Sequence, residues 1–141
     1  MEWFPRVLAT AVGVQLFCQL FKTVLYSIRD RRVNPAYFVS AGGIPSAHAA
    51  FVTALSVAIG LQNGFDSDLF AVAAVFSLIV IYDAYRLRGH VQHHAKIINR
   101  KLLGPAGEKP VSEMVGHSLP EIVAGMVLGG AVSLVVTLVL S

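Results

Sequence analysis

The sequence predicts an all-α integral membrane protein: four transmembrane helices in a small bundle, with an interfacial amphipathic helix between the third and fourth. Three observations carry this reading. Asp, Glu, Lys and Arg make up only 13% of the 141 residues, against about a quarter in soluble chains. Hydrophobic residues reach 55%, and the mean hydropathy is +0.67. The few charges are also bunched: residues 7–28 hold only Lys22, and 33–65, 69–82 and 122–141 hold none. The length is that of one domain, 1–141.

The same figures exclude several classes. A disordered tail, a nucleic-acid-binding arm and a disulfide-stapled module are all incompatible with so apolar a chain. The pI near 9.3 suggests nucleic acid, but the net charge is only +3 and the basic residues are too sparse for such a footprint. Cys18 is the sole cysteine, so neither an intrachain bridge nor a thiolate metal cluster can form. It reads as a packing residue in an apolar run.

The first helix is expected at roughly 5–28. A removable signal peptide is the competing reading. Against it, residues 1–6 carry no net positive charge, and Leu16-Phe17-Cys18 lacks the small residues of a cleavage site. The second and third helices, roughly 46–62 and 67–86, are short for a span of about 20 residues, so their ends are expected at the interface or inside the protein. In 89–103, Val91, Ala95, Ile98 and Leu102 recur at helical spacing on one stripe, the pattern of a helix lying in the membrane surface. Leu103-Gly104-Pro105-Ala106-Gly107 then reads as a breaker. The fourth span is expected at roughly 119–140.

Four helices in series alternate in direction and sort the connections onto two faces. One face takes the N-terminus, the 62–68 turn and the C-terminus, with Arg6 as its only basic residue. The other takes Lys22, Arg29, Arg31, Arg32, Arg86, Arg88, Lys96, Arg100, Lys101 and Lys109. The positive-inside rule makes that second face cytoplasmic. An active site for an anionic headgroup would concentrate Lys and Arg in the same way. All five histidines (His48, His90, His93, His94, His117) fall on this face, with Asp83, Glu113 and Glu121. Ionisable residues at membrane helix ends are costly and usually functional.

Two strings carry most of the chemistry. In Gly42-Gly43-Ile44-Pro45-Ser46-Ala47-His48, the glycines allow a turn and Ser46 is placed to cap a helix. Unpaired N–H groups at such a start bind anions, phosphate above all. His48 in the first turn is then placed to donate a proton. The plainer alternative is a capped helix with an interfacial histidine. In Gly116-His117-Ser118-Leu119-Pro120-Glu121, His117 and Glu121 stack one turn apart if both are helical. A carboxylate on one ring nitrogen fixes the tautomer and makes the other the better nucleophile. Gly125 and Gly129 continue the row and allow a neighbouring helix to approach closely, within the chain or between chains. His90, His93 and His94 have a spacing that suits a transition metal, but surface histidines on a basic helix are the commoner meaning, and no metal is assigned.

Taken together, Gly-Gly-Ile-Pro-Ser-Ala-His at 42–48, Tyr-Asp-Ala at 82–84 with Arg88, and Gly-His-Ser-x-x-Glu at 116–121 resemble the divergent branch of the type-2 phosphatidic acid phosphatase superfamily, which includes acid phosphatases and vanadium haloperoxidases. The superfamily pattern is Lys-x6-Arg-Pro, Pro-Ser-Gly-His and Ser-Arg-x5-His-x3-Asp. Lys22 and Arg29 match the first, with Asp30 in place of proline. Residues 45–48 match the second, with Ala47 for glycine. His117 and Glu121 match the end of the third, with Glu for Asp. Pro110 and Val111 stand where Ser-Arg would be. Arg88 is the candidate to supply that guanidinium, and Arg86 the weaker one.

The resemblance implies a membrane-embedded lipid phosphate phosphatase, with phosphatidylglycerophosphate as the best-matching substrate. Phosphate would sit among Lys22, Arg29, Arg88, Ser46 and the Ala47 backbone. His117 would be the nucleophile, Glu121 its partner and His48 the acid. Asp83 would orient Arg88 or Lys22, or serve only as a structural partner. No cofactor or metal is implied. The alternatives are an undecaprenyl (pyro)phosphate phosphatase and a non-catalytic membrane scaffold that binds lipid phosphate. The expected partners are the lipid and the bilayer, not nucleic acid, and oligomeric state is left open.

Overall fold

The computed structural model describes residues 6–40, 42–101, 110–113 and 115–140, and these form helices joined by turns and loops, with no strand among them. Five α-helices follow in order: α1 (Arg6–Arg29), α2 (Ala47–Asn63), α3 (Asp68–Tyr82), α4 (Arg88–Lys101) and α5 (Leu119–Leu140). A 3-10 turn, Pro35–Val39, lies between α1 and α2, and a π turn, Asp83–Leu87, joins α3 to α4.

Local chemistry accounts for the helix starts. The Ser46 hydroxyl accepts from the Ala49 N–H at 3.3 Å, and the Ser67 hydroxyl from the Phe70 N–H at 3.2 Å. Each satisfies a donor that the first turn leaves without a partner. Ser46 therefore caps α2 as its sequence context predicts. Gly64, at φ 93°, closes α2 before the short turn into α3.

The centre of the bundle is α2, which packs against α1, α3 and α5. Its buried face is built from small residues, Ala47, Ala49, Ala50, Ala54 and Ala58. A helix enclosed by three neighbours needs small side chains so that the backbones can approach. The closest seam is with α5. A Cβ added to Gly125 would lie 2.4 Å from the Ser46 carbonyl oxygen, and one added to Gly129 would lie 2.2 Å from that of Ala50. The glycine row anticipated at 125 and 129 thus serves packing within the chain. Val14 and Cys18 of α1 complete the core with Leu128 and Val132 of α5.

Buried hydroxyls stitch the same helices. Ser133 donates to the Ala54 carbonyl at 2.7 Å, Ser77 donates to the Val52 carbonyl at 2.9 Å, and Ser56 and Ser77 are 2.7 Å apart. In hydrocarbon such groups must find partners inside the protein. Outward faces are apolar and exposed, including Phe17 and Leu20 on α1, Val72 and Leu78 on α3, and Val135 and Leu138 on α5. This is the inverse of a soluble bundle and fits a lipid surround.

Among the described residues, three helical stretches are long and apolar enough to cross a membrane: Arg6–Arg29, Asp68–Lys101 and Leu119–Val139. The expected second span is helical, but at 17 residues α2 is shorter than these, and its neighbours enclose it. The helix expected at 89–103 is present as α4 (Arg88–Lys101), which follows α3 through the π turn without a break. Asp68–Lys101 runs as one stretch of 34 residues, because Gly89 is accommodated inside the helix at a cost of about 1 kcal/mol rather than ending it. Of the expected apolar stripe, only Ala95 is buried, while Val91 and Ile98 are exposed. Leu102, the 103–107 breaker and Lys109 lie outside the described residues.

Candidate functional site

Four helix ends meet at one end of the bundle. The start of α2 is tied to the start of α5 by a hydrogen bond from the Ser46 N–H to the Glu121 carbonyl, 3.0 Å. The segment entering α5 is tied to the π turn by a bond from the His117 N–H to the Ala84 carbonyl, 3.3 Å. Gly116 makes this approach possible, since a Cβ there would lie 3.0 Å from the Arg88 carbonyl oxygen.

His117 is the best defined of the expected residues. Its Nδ1 lies 3.2 Å from Glu121 Oε2, and the same oxygen accepts the Ser118 N–H at 3.1 Å. The carboxylate is thereby fixed from two sides and holds the ring in one orientation. His117 Nε2 is buried and has no hydrogen-bond partner. Burial pushes the His117 imidazole below its ordinary value; Glu121 pulls it up, and Lys22 and Arg88 add to the lowering. The ring is therefore neutral near pH 7, with Nδ1–H directed to Glu121 and the Nε2 lone pair available.

His48, in the first turn of α2, is half-buried, and its Nδ1 is also enclosed without a partner. The charges of Arg88, His117, Lys22 and Asp83 all act on this ring. Two histidines with orphaned ring nitrogens thus share one cationic environment. Buried polar atoms are rarely left unpaired, and both orphans lie where a ligand is expected.

Arg88 donates from Nε to Asp83 Oδ2 at 3.0 Å. Of the two basic residues Asp83 was expected to meet, it pairs with Arg88. The pairing occupies Nε and leaves the guanidinium's terminal nitrogens, the geometry that suits a phosphate. The π turn between these two residues widens the helix by one residue; such turns recur at functional sites.

Lys22 is fully buried and donates to the carbonyls of Ser40 at 3.1 Å and Gly42 at 3.3 Å. Two of its three protons hold the loop before α2, and one remains. Tyr26, one turn along, supports the same loop: its hydroxyl accepts the Ile44 N–H at 3.3 Å. The loop places the start of α2, where Ala47 and His48 have N–H groups without an intrahelical acceptor, beside the Ser46 hydroxyl.

Arg29 is not brought to this cluster. It is exposed at the end of α1 and is not among the charges acting on either histidine. Asp30, at the position of the superfamily's proline, accepts a hydrogen bond from the Tyr37 hydroxyl. His90, His93 and His94 are exposed on α4, and among the described residues no three His, Cys, Asp or Glu side chains are grouped to hold a metal. Three contributors escaped the sequence reading: the Ala84 carbonyl, the Ser118 N–H and Tyr26. Only Tyr26 left a sequence signal, being one turn beyond Lys22.

A family model described as "Divergent PAP2 family" matches residues 5–132. The chain is similar to the uncharacterized membrane protein YuiD of Bacillus subtilis (strain 168), 32% identical over 154 residues that cover 98% of this chain and 94% of that protein. No solved structure matches.

Proposed function

This chain belongs to the divergent PAP2 family, and from that premise we propose that it is a membrane-embedded lipid phosphate phosphatase acting through a phosphohistidine. The observation that carries the reading is His117, clamped through Nδ1 with its buried Nε2 unpartnered. A carboxylate-held imidazole with one free lone pair has the form of an activated nucleophile.

In the proposed reaction, the substrate phosphate is held by the Arg88 terminal nitrogens, the Ser46 hydroxyl, the N–H groups of Ala47 and His48, and the remaining proton of Lys22. His117 Nε2 attacks phosphorus and the bond to the lipid alkoxide breaks. His48 supplies the proton to that alkoxide. Water then attacks the phosphohistidine, His48 takes its proton, and phosphate leaves with His117 restored. Charge developing on the transferred group is met by donors already in place. Glu121 stabilises the imidazolium while it exists.

The substrate we favour is phosphatidylglycerophosphate. Ten basic residues on the site's face orient it to the cytoplasm under the positive-inside rule, where such a lipid is made. The test is phosphate release by purified protein from a panel of lipid phosphates, undecaprenyl pyrophosphate included, with and without EDTA. The expected result is hydrolysis that survives EDTA and is lost in His117→Ala. Equal rates for wild type and His117→Ala overturn the mechanism, and binding of lipid phosphate with no turnover replaces the enzyme by a lipid-binding scaffold.

A further inference from the structure

Beside the site, α3 and α5 diverge. Each packs chiefly on α2 rather than on the other, and between them lies a groove of about 530 Å³, within the ~300–1,000 Å³ usual for small-ligand sites. Leu78, Ile79, Tyr82 and Tyr85 form one wall and Leu119 and Ile122 the other; no lining side chain is charged.

We propose that this groove holds one hydrocarbon chain of the lipid whose phosphate occupies His117 and Arg88, entering sideways from the bilayer. The proposal deepens the phosphatase reading and rests on it for the headgroup.

Position is the first argument. The groove's two walls are joined at one end by the His117 N–H to Ala84 carbonyl bond. Leu119 follows His117 by two residues, Ile122 follows Glu121, and Tyr85 lies in the turn between Asp83 and Arg88. The groove therefore ends at the residues that would take the phosphate. A chain lying in it delivers its headgroup there without leaving the membrane.

Length is the second argument. From Tyr85 to Val75, the deepest lining residue on α3, the helix runs about 15 Å at 1.5 Å per residue. That is half of the roughly 30 Å hydrocarbon core, the depth of one leaflet. Tyr82 and Tyr85, both exposed, mark the headgroup level, where tyrosine's apolar ring and polar tip are both accommodated. The groove thus matches an alkyl chain of the leaflet that the site faces, not a soluble phosphomonoester.

Photo-crosslinking of the full chain in nanodiscs tests this. The probes are phosphatidic acid with a diazirine midway along one acyl chain and the matching diacylglycerol. Labelling by the phosphatidic acid probe is expected to concentrate on residues 75–85 and 119–122, several-fold above the diacylglycerol probe. Equal labelling by both, or labelling spread over the outer faces of α1 and α5 as for bulk lipid, overturns the proposal. A second measurement uses Ile79→Trp, which fills the groove. The ratio of kcat/KM for a long-chain lipid phosphate to that for a short-chain soluble phosphomonoester is expected to fall about tenfold, the effect of losing two methylene burials. An unchanged ratio also overturns it. If wild type hydrolyses neither substrate, the phosphatase reading fails, while the labelling contrast still decides the tail site.

Discussion

Replacing Gly129 by alanine tests whether the α2–α5 seam sets the geometry of the site. The added Cβ would lie 2.2 Å from the Ala50 carbonyl oxygen and 3.0 Å from its Cα. Ordinary contact begins at 3.4 Å, and the obstacle is backbone, so the seam has to open by about 1 Å. Overpacking of this kind costs about 1–3 kcal/mol, while alanine recovers up to about 1 kcal/mol of helix propensity over glycine. The net loss is on the order of 1–2 kcal/mol. Gly13 in α1 supplies the control, because nothing lies within 4 Å of a Cβ there. Gly13→Ala should keep or raise the midpoint of thermal unfolding in detergent, and Gly129→Ala should lower it by several degrees. The seam also carries Ser46 and His48 on one side and Glu121 on the other, and a 1 Å misplacement can cost about a hundredfold in rate. Phosphate release should therefore fall more steeply in Gly129→Ala than its loss of folded protein explains. Equal unfolding midpoints for the two variants would refute the reasoning, since the close approach would then carry no energy.

Two further outcomes follow from the site. Because burial holds His117 below its ordinary 6.5, the acid limb of kcat/KM should lie below pH 6.5, and Glu121→Gln, which removes an upward pull, should move it lower still while slowing the reaction; a limb that stays put or rises contradicts the assignment. The same depression means that His117's contribution to stability is full above pH 6.5 and lost as pH falls through its lowered value. For orientation, a cysteine at the exposed Asn63 should label only from outside the cell and one at the exposed Arg86 only from the cytoplasm, with Cys18 silent because it is buried; the reverse pattern inverts the protein in the membrane.

Much of the architecture was legible because its signals are local. Runs without charge mark apolar helices whatever they pack against, and the Ser46 cap and the His117–Glu121 pair depend on spacings of three and four residues at a helix start. The glycines at 125 and 129 announced a close approach for the same reason, since a missing Cβ is a property of the residue. The continuity of α3 with α4 was not legible, because a glycine's cost of about 1 kcal/mol at Gly89 decides neither for nor against an unbroken helix. Lys22 was legible as a candidate phosphate ligand but not as a loop anchor, because its acceptors are carbonyls of Ser40 and Gly42, and backbone carbonyls look alike in any sequence.

By itself, then, the sequence determined a helical membrane protein, with its histidines and most of its basic residues expected on one face. Only the tertiary structure decided that Gly125 and Gly129 meet Ser46 and Ala50, that Asp83 takes Arg88 while Arg29 stays outside, and that α3 and α5 part to leave a groove. Capping and periodicity act over one turn and can be read along the chain. Which helices touch depends on how every exposed and buried surface fits at once, and that fit exists only after folding.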